Sequence, residues 1–176
     1  MKERDNVIVT PMDEHILNAL EGLQPGTLLE VGSGGGRLTN RLAQLGWKIT
    51  GIEPDPWYRE LTSTFFNKID GVECQIIDGD IQNLEFPDNS FDVVISNAVI
   101  EHVQNPVLGI SEMLRCSRNR FVITTPYGHE ADSPDHIHHF YEDDIEALFD
   151  PTSFDASIVM DRPGGNKTWM FVGTFQ

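Results

Sequence analysis

Between Thr27 and Phe149 short apolar runs alternate with segments patterned for helix, and that alternation permits few folds other than a mostly parallel sheet covered on both faces. Parallel neighbours cannot be joined by a tight turn, so a crossover usually takes a helix. Strands are expected at Thr27–Val31, Lys48–Ile52, Val72–Ile77, Phe91–Ser96 and Arg120–Thr124. Helices are expected at Pro11–Leu20, Arg37–Leu45, Pro56–Phe66, Pro106–Cys116 and Glu142–Phe149. The second of these stops at Gly46, where a left-handed cap is easily made, and the last is entered through the acidic run Glu142-Asp143-Asp144. The end breaks the rhythm. Phe154–Met160 and Thr168–Thr174 are strand candidates around a turn-rich connector, which predicts an antiparallel hairpin.

A chain of 176 residues with no repeat, linker or low-complexity tract is expected to form a single domain over residues 1–176. Its 28 acidic residues against 12 basic ones give a formal charge of −16, a field that repels phosphate backbones and anionic membranes. Nucleic acid is therefore not expected as a partner. No run approaches the roughly 20 apolar residues of a membrane span, and Met1-Lys2-Glu3-Arg4-Asp5 does not lead into a signal-peptide core, so a cytoplasmic protein is expected. Cys74 and Cys116 make no disulfide framework and are read as reduced and structural.

The first strand runs into Gly32-Ser33-Gly34-Gly35-Gly36, just where a strand must turn into a helix. Glycine there allows positive φ and lets a ligand approach the backbone; a tight turn without a ligand would use the same residues. Glu53, about 20 residues past the first glycine, ends the second strand where an acid accepts from ribose hydroxyls and disfavours a 2′-phosphate. Asp80, in Asp78-Gly79-Asp80-Ile81 after the third strand, is placed to accept from an adenine amino group while Ile81 packs on the ring. A nicotinamide-type G-x-G-x-x-G counted from Gly32 needs glycine at 37, and Arg37 stands there.

Four matches, in order and at family spacing, carry a resemblance. They are Leu29 through Gly36, the strand end Gly51-Ile52-Glu53-Pro54-Asp55, the run Gly79-Asp80-Ile81 through Phe86-Pro87-Asp88-Asn89-Ser90-Phe91-Asp92-Val93-Val94, and Asn97 to Val103. The chain resembles the class I S-adenosylmethionine (SAM)-dependent methyltransferases, especially the small-molecule branch of ubiquinone-type O-methyltransferases. The resemblance spans Thr27 to Phe175. It implies a Rossmann-like α/β doubly wound sheet of order 3-2-1-4-5-7-6 with strand 7 antiparallel, and SAM as cofactor. It implies further that Glu30, Gly32, Ser33, Gly34 and Gly36 line the methionine and ribose side, Glu53 and Pro54 the ribose, Asp80 and Ile81 the adenine, and Asn97 the methionine portion. Asp92 reads as architectural. Where the family commonly has a Pro-Gly-Gly turn before strand five, this chain has Ser117-Arg118-Asn119-Arg120.

Methyl transfer mainly requires alignment and exclusion of water, because the sulfonium is already activated. If the acceptor is a hydroxyl, a base must take its proton, and Glu101-His102 follows the fourth strand at the edge where such sheets place ligands. His136, in the long loop Pro126–Tyr141, is a further catalytic candidate. Asp135, His136, His138 and His139 lack a second ligand cluster, and Ala98 stands where another carboxylate would be expected for the divalent cation of some ubiquinone-type relatives, so no metal is expected. Trp47, Trp57, Tyr58, Trp169 and Met170 are read as core. The expected activity is methyl transfer to a small-molecule acceptor, most readily at oxygen. The alternative is a catalytically silent SAM-binding module acting through a protein partner. Acceptor identity and oligomeric state are not legible in the sequence.

Overall fold

A computed structural model describes residues 10–67, 69, 71–129, 133–148, 155–160 and 165–175. Seven strands form one sheet: β1 Thr27–Val31, β2 Lys48–Ile52, β3 Cys74–Ile77, β4 Phe91–Asn97, β5 Ser117–Pro126, β6 Asp155–Met160 and β7 Lys167–Thr174, in the order β3-β2-β1-β4-β5-β7-β6. The first five are parallel, and β7 lies antiparallel between β5 and β6. The expected sheet order and terminal hairpin are those found.

The helices are α1 Pro11–Asn18, α2 Arg37–Gln44, α3 Pro56–Phe66, α4 Pro106–Cys116 and α5 Glu142–Leu148. Three start on proline, whose missing N–H would go unpaired there in any case. Just before each, Thr10, Asp55 and Asn105 accept a main-chain N–H from the first turn. Gly46, at φ 91°, ends α2 as expected.

Alternate strand positions feed two apolar cores, one on each face. Leu28, Val93, Ile95 and Val122 pack with Ile16, Leu38, Leu42 and Phe66 of α1, α2 and α3. Leu29, Val31, Val94 and Ile123 pack with Ile110, Met113 and Ile145 of α4 and α5. Each fully buried aliphatic side chain of this kind contributes roughly 1.5–3 kcal/mol.

Several boundaries differ from the sequence-based expectation. β3 begins at Cys74 rather than Val72, and β5 reaches back to Ser117. Ser117 serves as the C-cap of α4, pairs with Phe91, and donates its hydroxyl to Arg120 O at 2.7 Å, with a register shift between Phe91 and Val93. A strand that starts in Ser-Arg-Asn carries no apolar signal, and where the family commonly has a Pro-Gly-Gly turn this chain passes directly from helix to strand. Trp47, Trp169 and Met170 are buried as expected, but Trp57 is 63% and Tyr58 40% exposed. Both sit in the first turn of α3, an outer helix whose inward face is carried by Thr62 and Phe66. Phe149, Phe154 and residues 161–164 of the connector lie outside the described residues. No described helix is long and apolar enough to cross a membrane.

Candidate functional site

The carboxyl ends of β1, β2, β3 and β4 open onto a cavity of about 1130 Å³. Its wall brings together eight of the residues singled out from the sequence: Gly32, Gly34, Glu53, Pro54, Asp80, Ile81, Asn97 and His102.

The glycine loop is built into this wall. Gly32 and Ser33 donate their N–H groups to Ile52 O at 2.8 and 3.1 Å, which ties the loop to the end of β2. Gly34 has φ 49°, and a Cβ added there meets no atom within 4 Å, so its missing side chain leaves open space at the cavity wall. Glu53, 7% exposed, accepts the N–H of Gly34 at 2.7 Å and that of Asp55 at 3.0 Å. A carboxylate has about four acceptor positions, so capacity remains for hydroxyls. Asp80 is exposed and accepts from its neighbour Gln82, whereas Ile81 is 5% exposed and packs against Gly109 of α4. Asn97 accepts the Thr124 hydroxyl at 2.7 Å through Oδ1, which leaves its amide N–H groups as donors.

Glu30, Ser33 and Gly36 lie off the wall. Glu30 is 3% exposed inside the sheet and accepts the Thr39 hydroxyl at 2.6 Å; burial pushes its carboxyl up to about 8. Ser33 is 6% exposed and turned inward. Gly36 enters α2 at φ 75°, where a Cβ would come within 2.6 Å of Thr62, so helix packing requires that glycine. Asp92 accepts both the N–H and the hydroxyl of Thr27 and pairs with Arg118, an architectural role. The cysteines are free thiols, and burial pushes Cys74 up to about 12.

A 3₁₀ turn, Ile100–His102, carries the expected catalytic pair beyond β4. Glu101 is 1% exposed; its Oε2 accepts the Thr125 hydroxyl at 2.9 Å and its Oε1 has no hydrogen-bond partner. Burial holds this carboxyl above its ordinary range. His102 Nε2 lies 4.0 Å from Glu101 Oε1, and the His136 ring packs edge-on to His102 at 4.8 Å. Glu101 and His136 are thus beside His102 but behind the wall it lines. Ligand-capable atoms of Glu101, His102 and His136 lie within 4.8 Å of one another, a spacing a cation would accept although none was expected from the sequence.

The wall also holds residues for which the sequence suggests no ligand role: Asp78 and Val99, Tyr58, which reads as core, and Ala98, which stands out only for lacking a carboxylate. Ala98 turns the chain out of β4 at φ 55°, a left-handed conformation that an alanine does not advertise. Asp135 reaches the wall from the loop after β5, and its position beside histidines was the only cue. Asp78 is held by Arg59 at 2.9 Å, and among the described residues neither lysine nor arginine lines the cavity.

Residues 29–122, just over half of the chain, match the family model described as a methyltransferase domain. The chain belongs to the class I SAM-dependent methyltransferases. The methyltransferase is 37% identical over 84 residues to a probable ribosomal RNA small subunit methyltransferase A of Methanosarcina acetivorans, covering 48% of this chain and 30% of that protein. It is also 37% identical over 91 residues to a ubiquinone biosynthesis O-methyltransferase of Paramagnetospirillum magneticum, covering 52% and 34%. The methyltransferase thus spans about a third of the length of these curated relatives. Its fold superimposes on magnesium protoporphyrin IX methyltransferase from Synechocystis with bound S-adenosylhomocysteine (SAH), at TM-score 0.75 and 16% identity over 94% of this chain and 82% of that one. SAM is the cofactor of this family, and the open space at Gly34, the acceptor capacity of Glu53 and the free amide of Asn97 fit it.

Proposed function

We propose that this methyltransferase acts as one domain on a small-molecule hydroxyl in the cytoplasm, with SAM held by Gly32, Gly34, Glu53, Pro54, Asp80, Ile81 and Asn97. The observation that carries the reading is that His102 lines the same cavity as these residues, with the buried Glu101 beside it. Bound SAM supplies an activated methyl group on a sulfonium centre. The protein's part is to orient the acceptor, exclude water and take the hydroxyl proton at His102. Glu30, Ser33 and Gly36 support the loop from behind rather than touch the ligand.

Three facts support a small acceptor over nucleic acid: the −16 charge, the acidic side chains Glu53, Asp55, Asp78, Asp80 and Asp135 on the wall, and the absence of a lysine or arginine among the described residues there. The two free cysteines accord with a reducing compartment.

Incubation with SAM and a panel of phenols, catechols, aliphatic alcohols, amines and total RNA, read as SAH released, tests the reading. Turnover with a hydroxyl compound is expected. Methylation confined to RNA would overturn the acceptor class, and SAM binding without turnover on any acceptor would make the chain a silent binding module.

A further inference from the structure

We propose that Asp135 is a positioning residue: through its main-chain carbonyl and its carboxylate it keeps the proton of neutral His102 on Nδ1, so that Nε2 is the basic atom. The inference rests on the reading of His102 as the base, and it specifies which nitrogen acts and what holds the ring.

A neutral imidazole carries one N–H, and a carbonyl oxygen can only accept. His102 Nδ1 lies 3.1 Å from Asp135 O, a hydrogen bond that forms only when Nδ1 holds the proton. Asp135 Oδ2 lies 3.4 Å from the same nitrogen, a second acceptor from the same residue. The Ser133 hydroxyl donates to the other carboxylate oxygen, which fixes the side chain and favours its ionised form.

Asp135 is itself held in register with His102. Ile137 and His138 donate their N–H groups to Glu101 O at 2.9 and 3.1 Å, and His136 N donates to Ser133 O at 3.0 Å. His138 Nε2 meets Val103 O at 2.9 Å. The loop after β5 is thereby stapled on both sides of His102 to the 3₁₀ turn that carries it.

The opposite edge of the ring is arranged differently. Among the described residues Nε2 makes no hydrogen bond, and the facing Glu101 Oε1, 4.0 Å away and buried, has no partner. When an acceptor hydroxyl loses its proton, the O–H bond breaks and an N–H bond forms at Nε2. The resulting imidazolium then has a carboxylate at each edge, Asp135 at Nδ1 and Glu101 at Nε2. Asp135 acts through His102 and needs no contact with the acceptor.

The test uses protein labelled with ¹⁵N-histidine and saturated with SAH, at about pH 8.5, where an ordinary imidazole is neutral. Long-range ¹H–¹⁵N spectra distinguish protonated from unprotonated ring nitrogens, and His102→Asn assigns the signals. Wild type is expected with Nδ1 protonated. Asp135→Ala, at an exposed position, keeps the main-chain carbonyl and removes only the carboxylate, so it is expected to shift the ratio toward Nε2–H by about two- to fivefold, the worth of an exposed ion pair, and Asp135→Asn to restore part of it. A wild-type ring protonated on Nε2, or the same ratio in Asp135→Ala, overturns the proposal. Turnover is read separately: unchanged turnover in His102→Asn would refute the base assignment whatever the tautomer.

Discussion

The carboxylate of Glu53 accepts the main-chain N–H of Gly34 at 2.7 Å, so the end of β2 and the glycine loop after β1 are one unit. Replacing Glu53 removes both the acceptor proposed for the ligand and the brace that ties down the loop. Glu53→Ala should weaken SAH binding at least tenfold by calorimetry, since hydrogen bonds to a charged group are each worth about 1.5–3 kcal/mol. Glu53→Gln should recover part of it. Unchanged affinity in the alanine variant would remove Glu53 from the ligand site.

The neighbouring glycines should separate binding from folding. Gly34→Val places a side chain in open space at the cavity wall, so SAH binding should be lost; its φ of 49° also costs roughly 1–3 kcal/mol of backbone strain, so binding is read at a temperature where the variant is folded. Gly36→Ala drives a Cβ against Thr62 and Phe66 at positive φ, so it should lower stability by roughly 1–3 kcal/mol. SAH affinity should remain within about threefold of wild type at temperatures where that variant is folded, because one hydrogen bond's worth of free energy or less is at stake off the wall. Thermal unfolding and titration of the two variants check the pair; the reverse pattern would exchange the two roles.

The hairpin and the helix starts were legible because proline, glycine and apolar periodicity mark them locally, while the sheet order was implied by the family resemblance. Pro56 and Pro106 open α3 and α4 at the expected residues, and β1 and β2 match residue for residue. What the sequence hid depends on packing between distant segments. Nothing in Glu30-Val31-Gly32 says that Glu30 turns inward to Thr39 while Gly32 faces the cavity. Nor does Gly34-Gly35-Gly36 say which glycine borders the cavity and which makes room for Thr62. Asp135 reaches His102 across 33 residues, a pairing that only the fold creates.

Glu30 makes stability depend on pH. Its folded value, about 8, lies above the ordinary 4.5, so the folded state binds the proton more tightly. That contribution is fully present below pH 4.5 and is lost as pH rises through 8. Glu30→Gln keeps an acceptor for Thr39 without the charge. It should therefore gain on wild type by up to about 1.4 kcal/mol per pH unit across this window, read from denaturant unfolding at several pH values. Parallel stability curves for the two proteins would contradict the burial argument.

His102→Asn preserves a donor to Asp135 but removes the base. On a hydroxyl acceptor its turnover should fall about 10²–10⁴-fold, with SAH affinity unchanged. A matching loss of SAH affinity would instead make His102 part of the cofactor site.

The most direct test of the central claim is a calorimetric titration of SAH, alongside NAD, into wild type, Gly34→Val and Asp80→Ala. Saturable SAH binding to wild type, weakened at least tenfold by Asp80→Ala, abolished by Gly34→Val and unmatched by NAD, is the predicted result. NAD binding in place of SAH, or SAH binding indifferent to both substitutions, would contradict the site described above.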